Sequence, residues 1–177
     1  FFTMCFRPLI TIIIITSLST IFSCSFLENE ILPDSPKELL KEGIKALKLD
    51  QTLRGRELLS QLIEDFPDSK ARTHALLLLA RSYYSYEEYE EAKIKFQKFI
   101  QLYPRHKNID RAYFFKAMSD FKRVDLAKRD QTSTKEARKG FQDLIDQFPK
   151  SQYVEQAKQK KDVCDFQLAK HVLEVGK

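Results

Sequence analysis

The amino-acid sequence predicts an all-α protein that folds as a solenoid of antiparallel helix hairpins. Four Gly, six Pro and 31% charged residues in a chain of 177 are typical of a helix-rich protein. Three apolar runs end in an aromatic residue followed by proline, at Phe66-Pro67, Tyr103-Pro104 and Phe148-Pro149. Proline ends a helix because it has no N–H to donate and its ring clashes with the preceding turn. The shared ending therefore predicts several copies of one helical unit.

A fixed step along the chain places these units. Phe66 and Tyr103 are 37 residues apart, whereas Tyr103 and Phe148 are 45 residues apart. The 37-residue step also joins small residues in the first helix of each unit, which are Gly43, Ala80 and Ala117. One insertion of eight residues in the third unit explains the longer step. The sequence thus predicts repeats at residues 35–68, 70–105 and 108–150, followed by one helix of a fourth repeat at 152–177.

Small and large residues in these units have separate packing roles. Small residues let two antiparallel helices approach closely, and Leu59, Phe96 and Phe141 fill the space between hairpins. The small–aromatic–proline spacing resembles the second helix of the tetratricopeptide repeat, at Ala92, Phe96 and Pro104 and again at Ala137, Phe141 and Pro149. A hairpin of this kind cannot bury its apolar face alone, so neighbouring hairpins must stack.

Helix starts are marked by capping residues. Ser35 followed by Pro36 and Glu38 combines a capping side chain, a proline at the first helical position and an acid in the first turn. Ser133 and Glu136 form a second capping box. Three further residues follow the aromatic–proline endings and can cap the next helix: Asp68, Asn108 and Ser151.

The N-terminal segment is predicted to be a signal peptide rather than part of the solenoid. Arg7 precedes an uncharged apolar run that ends at Cys24. This run is shorter than the about 20 apolar residues that a membrane-spanning helix needs. The residues before Cys24 resemble a bacterial lipoprotein signal at 1–23, with Cys24 as the lipid-modified residue and 24–34 as a tether. Phe22 departs from the small residue usual at its position. An ordinary secretory signal with an incidental cysteine is the alternative.

No catalytic, metal or cofactor chemistry is evident in the sequence. His74, His106 and His171 stand alone, without a second ligand at metal spacing. Glycine-rich loops and CxxC pairs are absent, so we expect neither an enzyme nor a cofactor beyond the lipid on Cys24. Cys164 lies in a helical pattern and is expected in the core. The net charge of +5 would permit nucleic-acid binding, but lysines and acids are interleaved, which favours a solvated surface.

The segment from Cys24 onward resembles the BamD family, the tetratricopeptide lipoproteins of the outer-membrane β-barrel assembly machine. The resemblance includes the lipoprotein cysteine, the tether ending LPDSP and the stretch YPRHKNIDRAYFFKAMSDF. It also includes EARKGFQDLIDQFPKSQY. Its most specific parts are Asn108, Ile109 and Asp110 in HKNID, and Arg129 and Asp130 in the insertion KRDQ. Generic repeat residues arise in many proteins, whereas these segments do not.

This resemblance implies a location and a set of partners. Family members are held by lipid at the periplasmic face of the outer membrane. They bring unfolded outer-membrane proteins to BamA, act beside other lipoproteins of the machine, and make or break no bond. The alternative is a tetratricopeptide lipoprotein that serves cell-wall synthesis, division or pilus assembly, and HKNID and KRDQ disfavour it. The usual number of repeats in the family is about five, so a truncated or shortened chain is expected here.

The resemblance also implies a peptide-binding surface built from the first helix of each hairpin. The contact residues that we predict there are Arg81, Tyr84, Arg111, Phe114 and Phe121. Aromatic side chains with one or two arginines suit a peptide that ends in an aromatic residue and a carboxylate. Of the four tyrosines Tyr83, Tyr84, Tyr86 and Tyr89, Tyr84 is the one that we expect to face a groove. Leu77, Phe114 and Met118 also hold first-helix positions on this surface, and the alternative for them is burial in the core.

Overall fold

The structure, a computed structural model, describes residues 35–124 and 131–175. The predicted signal peptide at 1–23, Cys24 with its tether to residue 34, and the motif residues Arg129 and Asp130 lie outside the described residues. The described residues form seven α-helices: α1 (Pro36–Lys48), α2 (Thr52–Asp65), α3 (Lys70–Ser85), α4 (Tyr89–Leu102), α5 (Ile109–Val124), α6 (Thr132–Gln147) and α7 (Val154–Val175).

The helices stack as three hairpins and one further helix. Each helix packs mainly on its neighbours in sequence, and α1, α3, α5 and α7, the first helices of successive repeats, also touch one another. This arrangement confirms the predicted all-α tetratricopeptide-like solenoid. One core cluster covers the first two hairpins and the start of α5. A second covers the third hairpin and α7.

Large residues that the repeat assigned to the space between hairpins are buried there. Leu59 and Phe141 are fully buried, and Phe96 is nearly so. Cys164 on α7 is also buried, as expected, and burial raises the pKa of its thiol to about 11. It takes the repeat position that buried serines hold in α3 and α5.

Close approach of paired helices depends on glycine. A Cβ atom on Gly140 of α6 would lie 2.9 Å from the Cβ of Ala117 on α5 and 3.3 Å from its Cα. In the first hairpin, a Cβ atom on Gly55 would lie 3.1 Å from the carbonyl oxygen of Gly43 and 2.7 Å from the Leu47 side chain. The sequence step had pointed to Ala137 as the small residue of α6. Ala137 is fully buried, and Gly140, about one turn later, is the position where an added Cβ would crowd Ala117.

Helix starts follow the predicted chemistry but at partly different residues. The Oγ of Ser35 accepts a hydrogen bond from the N–H of Glu38 at 3.2 Å, which confirms the first cap. The starts of α3, α5 and α7 share another arrangement, in which a side chain accepts a hydrogen bond from the N–H two residues later. Ser69 accepts from Ala71, His106 from Asn108, and Ser151 from Tyr153. These three acceptors keep the steps of 37 and 45 residues.

Two of the predicted starts are corrected. Ser69, not Asp68, caps α3, because Ser69 is the residue whose side chain reaches the free N–H of Ala71. The predicted capping box at Ser133 and Glu136 is also wrong. Helix α6 already begins at Thr132, so Ser133 is a buried residue of its first turn.

The turns within the first two hairpins share a strained residue. Asp50 has φ of 61° and Glu87 has φ of 63°, and the two lie one 37-residue step apart. This left-handed conformation is costly for residues with a side chain and is usually given to glycine. The hydroxyl of Tyr86 donates a hydrogen bond to Asp50 and thereby links the two turns.

One repeat position carries a cation that joins each hairpin to the next. Arg56, Lys93 and Arg138 are separated by the same steps of 37 and 45 residues, and we call them the joint cations. Each one reaches a side chain on the first helix of the following hairpin. The acceptors keep the same steps along the chain and are Tyr83, Asp120 and Asp165.

Arg56 makes the most elaborate of these joints. Its guanidinium lies 4.0 Å from the centre of the Tyr83 ring. The same group donates to the Oγ of Ser82 at 2.8 Å, to the Ser82 carbonyl at 3.2 Å and to Glu88 at 2.6 Å. A buried guanidinium needs such partners, because an unpaired charge in the interior is strongly unfavourable.

Candidate protein-binding surface

The first helices of the hairpins line up side by side and leave two clefts between them. The larger, of about 350 Å³, lies between α1 and α3 and is lined by Ile44, Leu47, Lys48, Leu78, Arg81, Ser82, Ser85 and Tyr86. The smaller, of about 100 Å³, lies between α3 and α5 and is lined by His74, Leu77, Leu78, Arg81, Phe96, Asn108 and Arg111. Leu78 and Arg81 belong to both. We call the two together the first-helix groove.

The first-helix groove has an apolar floor and a cationic rim. Leu47, Leu77 and Leu78 are half-buried, so each leaves part of its side chain open to a ligand. Lys48, Arg81 and Arg111 supply positive charge, and no carboxylate lines either cleft in the described part of the chain. An arginine binds a carboxylate through two parallel hydrogen bonds. The groove is therefore suited to an extended segment with apolar side chains and a negative charge.

Arg81 and Arg111, both predicted from the sequence, do come together in the smaller cleft. Arg81 is exposed, because α3 turns this position away from α4. Arg111 is half-buried, and its guanidinium lies 5.7 Å from the centre of the Phe115 ring. A guanidinium packed on an aromatic ring has less freedom to lose when a ligand binds.

The predicted aromatic residues are more deeply placed. Tyr84 is half-buried and meets Tyr89 and Phe115 edge-on, at ring-centre distances of 5.4 and 5.1 Å. Burial, with a smaller effect from Tyr89, raises the pKa of Tyr84 to about 12. Phe121 is half-buried beside Phe141 on α6, and the Lys160 ammonium lies 5.0 Å from its ring centre.

Phe114 lies in the core rather than on the surface. It is 5% exposed and stacks on Tyr153 at a ring-centre distance of 4.7 Å. Phe114 is therefore a core residue, as the alternative interpretation of the sequence had it, and not a contact residue of the surface. Its side chain faces α6 and α7, because the third hairpin is closed by α7 on that side.

The motif residues before and at the start of α5 have distinct places. Ile109 is buried in the first core cluster. Asp110 accepts hydrogen bonds from the Oγ of Ser151 at 2.6 Å and from the N–H of Arg111 at 2.8 Å, so it holds the turn before α7 against α5. Asn108 lines the smaller cleft beside Arg111. Of the three, Asn108 alone is part of the groove.

Several groove residues were not predicted from the sequence, among them Ser82, Ser85 and Tyr86. Lys48, His74 and Leu78 line the clefts, although no motif singled them out. Leu78 lies within a run of four leucines, in which the sequence alone does not separate the groove side from the core side. The repeat spacing would have found both Lys48 and His74. His74 lies one 37-residue step before Arg111, and Lys48 lies one helical turn after Ile44, which is one step before Arg81.

Two absences concern only residues 35–124 and 131–175. No group of three or more His, Cys, Asp or Glu side chains there could hold a metal ion. None of the helices in these ranges is both long and apolar enough to cross a membrane.

Comparison with known proteins identifies the family. A family model described as "YfiO: Outer membrane lipoprotein" matches residues 33–177. The chain is 24% identical over 175 residues to outer membrane protein assembly factor BamD of Caulobacter vibrioides, which covers 97% of this chain and 57% of that protein. It is 28% identical over 139 residues to the BamD of Rickettsia prowazekii, which covers 78% and 55%.

The BamD of Haemophilus influenzae is 24% identical over 181 residues, with 97% of this chain and 69% of that protein covered. The chain thus spans little more than half the length of the Caulobacter and Rickettsia proteins. The family match includes every helix of the described structure and the whole of the first-helix groove. The chain belongs to the YfiO family of outer membrane lipoproteins, whose curated relatives are the BamD outer membrane protein assembly factors.

Proposed function

We propose that this chain is a non-enzymatic subunit of the outer-membrane β-barrel assembly machinery. In this proposal it is anchored by a lipid on Cys24 to the periplasmic face of the outer membrane. It brings unfolded outer-membrane proteins to BamA and acts beside the other lipoproteins of the machine. It makes and breaks no covalent bond, and it binds neither a cofactor nor nucleic acid.

The observation that carries the proposal is the family match over residues 33–177. Proteins that share this repeat region are named outer membrane protein assembly factors. A stacked-hairpin protein binds partners along the surface of its first helices, because those helices lie side by side and form a continuous groove. Because the chain spans only about half the length of the Caulobacter and Rickettsia proteins, its partners and substrates are part of the proposal.

The groove supports an extended polypeptide as the substrate. Its floor of leucines can take apolar side chains, and Arg81 and Arg111 can together hold a carboxylate. We propose that the C-terminal end of an unfolded barrel protein, with an aromatic residue and a free carboxylate, binds there. Tyr84 and Phe121 are half-buried and line neither cleft, so the proposed contact with this peptide rests on the leucines and the two arginines.

Affinity purification of the lipid-modified full chain from detergent-solubilised membranes tests this proposal. Mass spectrometry should identify BamA as a co-purifying protein. A matched sample of the Cys24→Ala variant should leave the membrane fraction and recover much less BamA. Enrichment of cell-wall or pilus components instead of BamA would overturn the proposal in favour of a scaffold for those assemblies.

A further inference from the structure

The outward side of α1 carries four exposed lysines, more than any other helix of the described structure. Lys37, Lys41 and Lys45 are one helical turn apart, Lys48 follows on the same side, and all four are exposed. Helix α1 packs on α2 and α3, and no other described helix contacts it. At the same repeat positions α3 has His74, Leu78, Ser82 and Ser85. The lysine face therefore belongs to the first helix and is not a feature of the repeat.

Apolar side chains accompany these lysines. Leu40 and Ile44 are half-buried and form the floor of an open trough of about 520 Å³, whose walls are the lysines. At the end of α1, Leu49 is 60% exposed, and Leu53 on the first turn of α2 is 83% exposed. The equivalents of Leu53 in the next two hairpins are Glu90 and Lys135. An exposed leucine at a position that is elsewhere charged is not explained by stacking of the repeats.

The acidic residues of α1 do not cancel this charge. Glu38 and Glu42 lie on the flank beyond Lys45, and Glu42 pairs with Lys45 at 3.2 Å. Lys37, Lys41 and Lys48 lie nearer to Leu40 and Ile44, on the opposite side of the lysine face. The surface that combines positive charge with apolar contact is therefore continuous from Lys37 to Leu49.

We propose that this face of α1, together with Leu49 and Leu53, docks on the anionic phospholipid headgroups of the membrane that holds the lipid anchor. Lysine stems lie along apolar surface while their ammonium groups reach headgroup phosphates, and leucines enter the boundary between headgroups and acyl chains. The inference rests on the anchor of the proposed function. A tether of eleven residues spans at most about 40 Å, so α1 would be held close to the bilayer.

Lysine acetylation of the anchored chain tests this inference. The lipid-modified full chain is reconstituted in vesicles of phosphatidylcholine alone or of phosphatidylcholine with phosphatidylglycerol, and modification rates are read by mass spectrometry. Rates at Lys37, Lys41, Lys45 and Lys48 should fall about fivefold or more when phosphatidylglycerol is present, and high salt should restore them. Exposed lysines elsewhere are the internal control and should keep their rates: Lys98, Lys139, Lys150 and Lys158.

A pair of matched variants checks the leucines. Leu49→Ser with Leu53→Ser should remove most of the protection, whereas Ile94→Ser with Leu102→Ser, which changes two other exposed apolar residues, should not. Equal lysine rates in both kinds of vesicle would overturn the inference. Rates that are equally slow in both would, in addition, indicate that a polypeptide covers α1. Flotation of the chain with pure phosphatidylcholine vesicles reports the anchor separately, so failure of the anchor is distinguishable from failure of docking.

Discussion

Lys93 on α4 places its side-chain nitrogen 2.8 Å from the carboxylate of Asp120 on α5. The same nitrogen lies 2.5 Å from Glu136 on α6, so one cation connects three helices. Burial raises the pKa of Asp120, and the bond from Lys93 offsets only part of that effect. Burial alone would lower the pKa of Lys93, but its hydrogen bonds to the two carboxylates outweigh burial and raise the pKa.

Removal of the Lys93 charge should destabilise the fold. Lys93→Met leaves the buried Asp120 with only the more distant Arg123 guanidinium, 3.7 Å away, and we expect the free energy of unfolding to fall by about 2–3 kcal/mol. The double variant Lys93→Met with Asp120→Asn should recover most of that loss, because the buried charge is then gone. Urea denaturation followed by circular dichroism measures both. Lys98→Met, at an exposed lysine of the same helix, is the control and should change stability by less than about 0.5 kcal/mol. A double variant no more stable than the single one would contradict the expectation.

The contribution of Glu136 should disappear in acid. The hydrogen bond from Lys93 holds the pKa of Glu136 below its ordinary value. A carboxyl with a lowered pKa stabilises the folded state above its unfolded pKa and loses that effect as the pH falls through the folded pKa. The difference in unfolding free energy between the wild type and Glu136→Gln should therefore be largest at neutral pH and should shrink as the pH falls through the lowered pKa of Glu136. Asp120 has a raised pKa, so its contribution to the stability of the folded state becomes more favourable as the pH falls. It is present in both proteins that are compared. A difference independent of pH would show that Glu136 acts through packing and not through charge.

The close contact between Gly140 and Ala117 predicts a compensating pair of substitutions. Gly140→Ala places a Cβ within 2.9 Å of the Ala117 Cβ and should cost about 1 kcal/mol or more, despite the better helix propensity of alanine. Exchange of the two residues, Gly140→Ala with Ala117→Gly, should restore stability to within about 0.5 kcal/mol of the wild type. Thermal unfolding of the two single variants and the exchange variant decides it. If the exchange variant is the least stable of the three, the contact between Gly140 and Ala117 does not limit how closely α6 packs on α5.

Relief of the strained turn at Glu87 should stabilise the chain. Its φ of 63° is costly for any residue with a Cβ. Glu87→Gly should therefore raise the free energy of unfolding by about 1 kcal/mol. Glu91→Gly, four residues later inside α4, should instead lower it by about 1 kcal/mol, because glycine is a poor helix former. Loss of stability in both variants would show that the Glu87 side chain has a contact worth more than the strain.

The paired arginines of the first-helix groove should determine peptide affinity. Arg81→Ala with Arg111→Ala should weaken the binding of a barrel-protein C-terminal peptide about tenfold or more, because two charge-assisted bonds to its carboxylate are lost. Fluorescence anisotropy with a labelled peptide measures the affinity. The same peptide with an amidated C-terminus should bind the wild type weakly and lose little more in the variant. Lys98→Ala with Lys139→Ala is the charge-matched control, and an equal loss there would indicate a general electrostatic effect.

The fold followed from the sequence because one period relates every hairpin. Aromatic–proline endings and small residues recur at fixed steps, and these steps placed Leu59, Phe96 and Phe141 correctly in the core. The joint cations keep the same steps, so the sequence contained them. Their acceptors are a ring in one joint and carboxylates in the others, however, and a search for one residue type does not find such a set.

The groove was only partly predictable, because its depth depends on how far each first helix is rotated. Arg81 and Arg111 were found by spacing alone. Phe114 has the same helical position as Leu77, yet α7 covers Phe114, whereas Leu77 stays half-exposed. The bond from Ser151 to Asp110 joins the turn before α7 to the start of α5, 41 residues earlier, and no local pattern predicts it.

The joint cations make the hairpins interchangeable in principle. If α3 and α4 were deleted as one period of 37 residues, Arg56 would meet Asp120 in place of Tyr83, and the new junction would still pair a cation with an attractive partner. Duplication of the same period would likewise create no mismatched junction. Gene rearrangements that add or remove one whole unit would therefore keep a cation opposite an attractive partner at every joint.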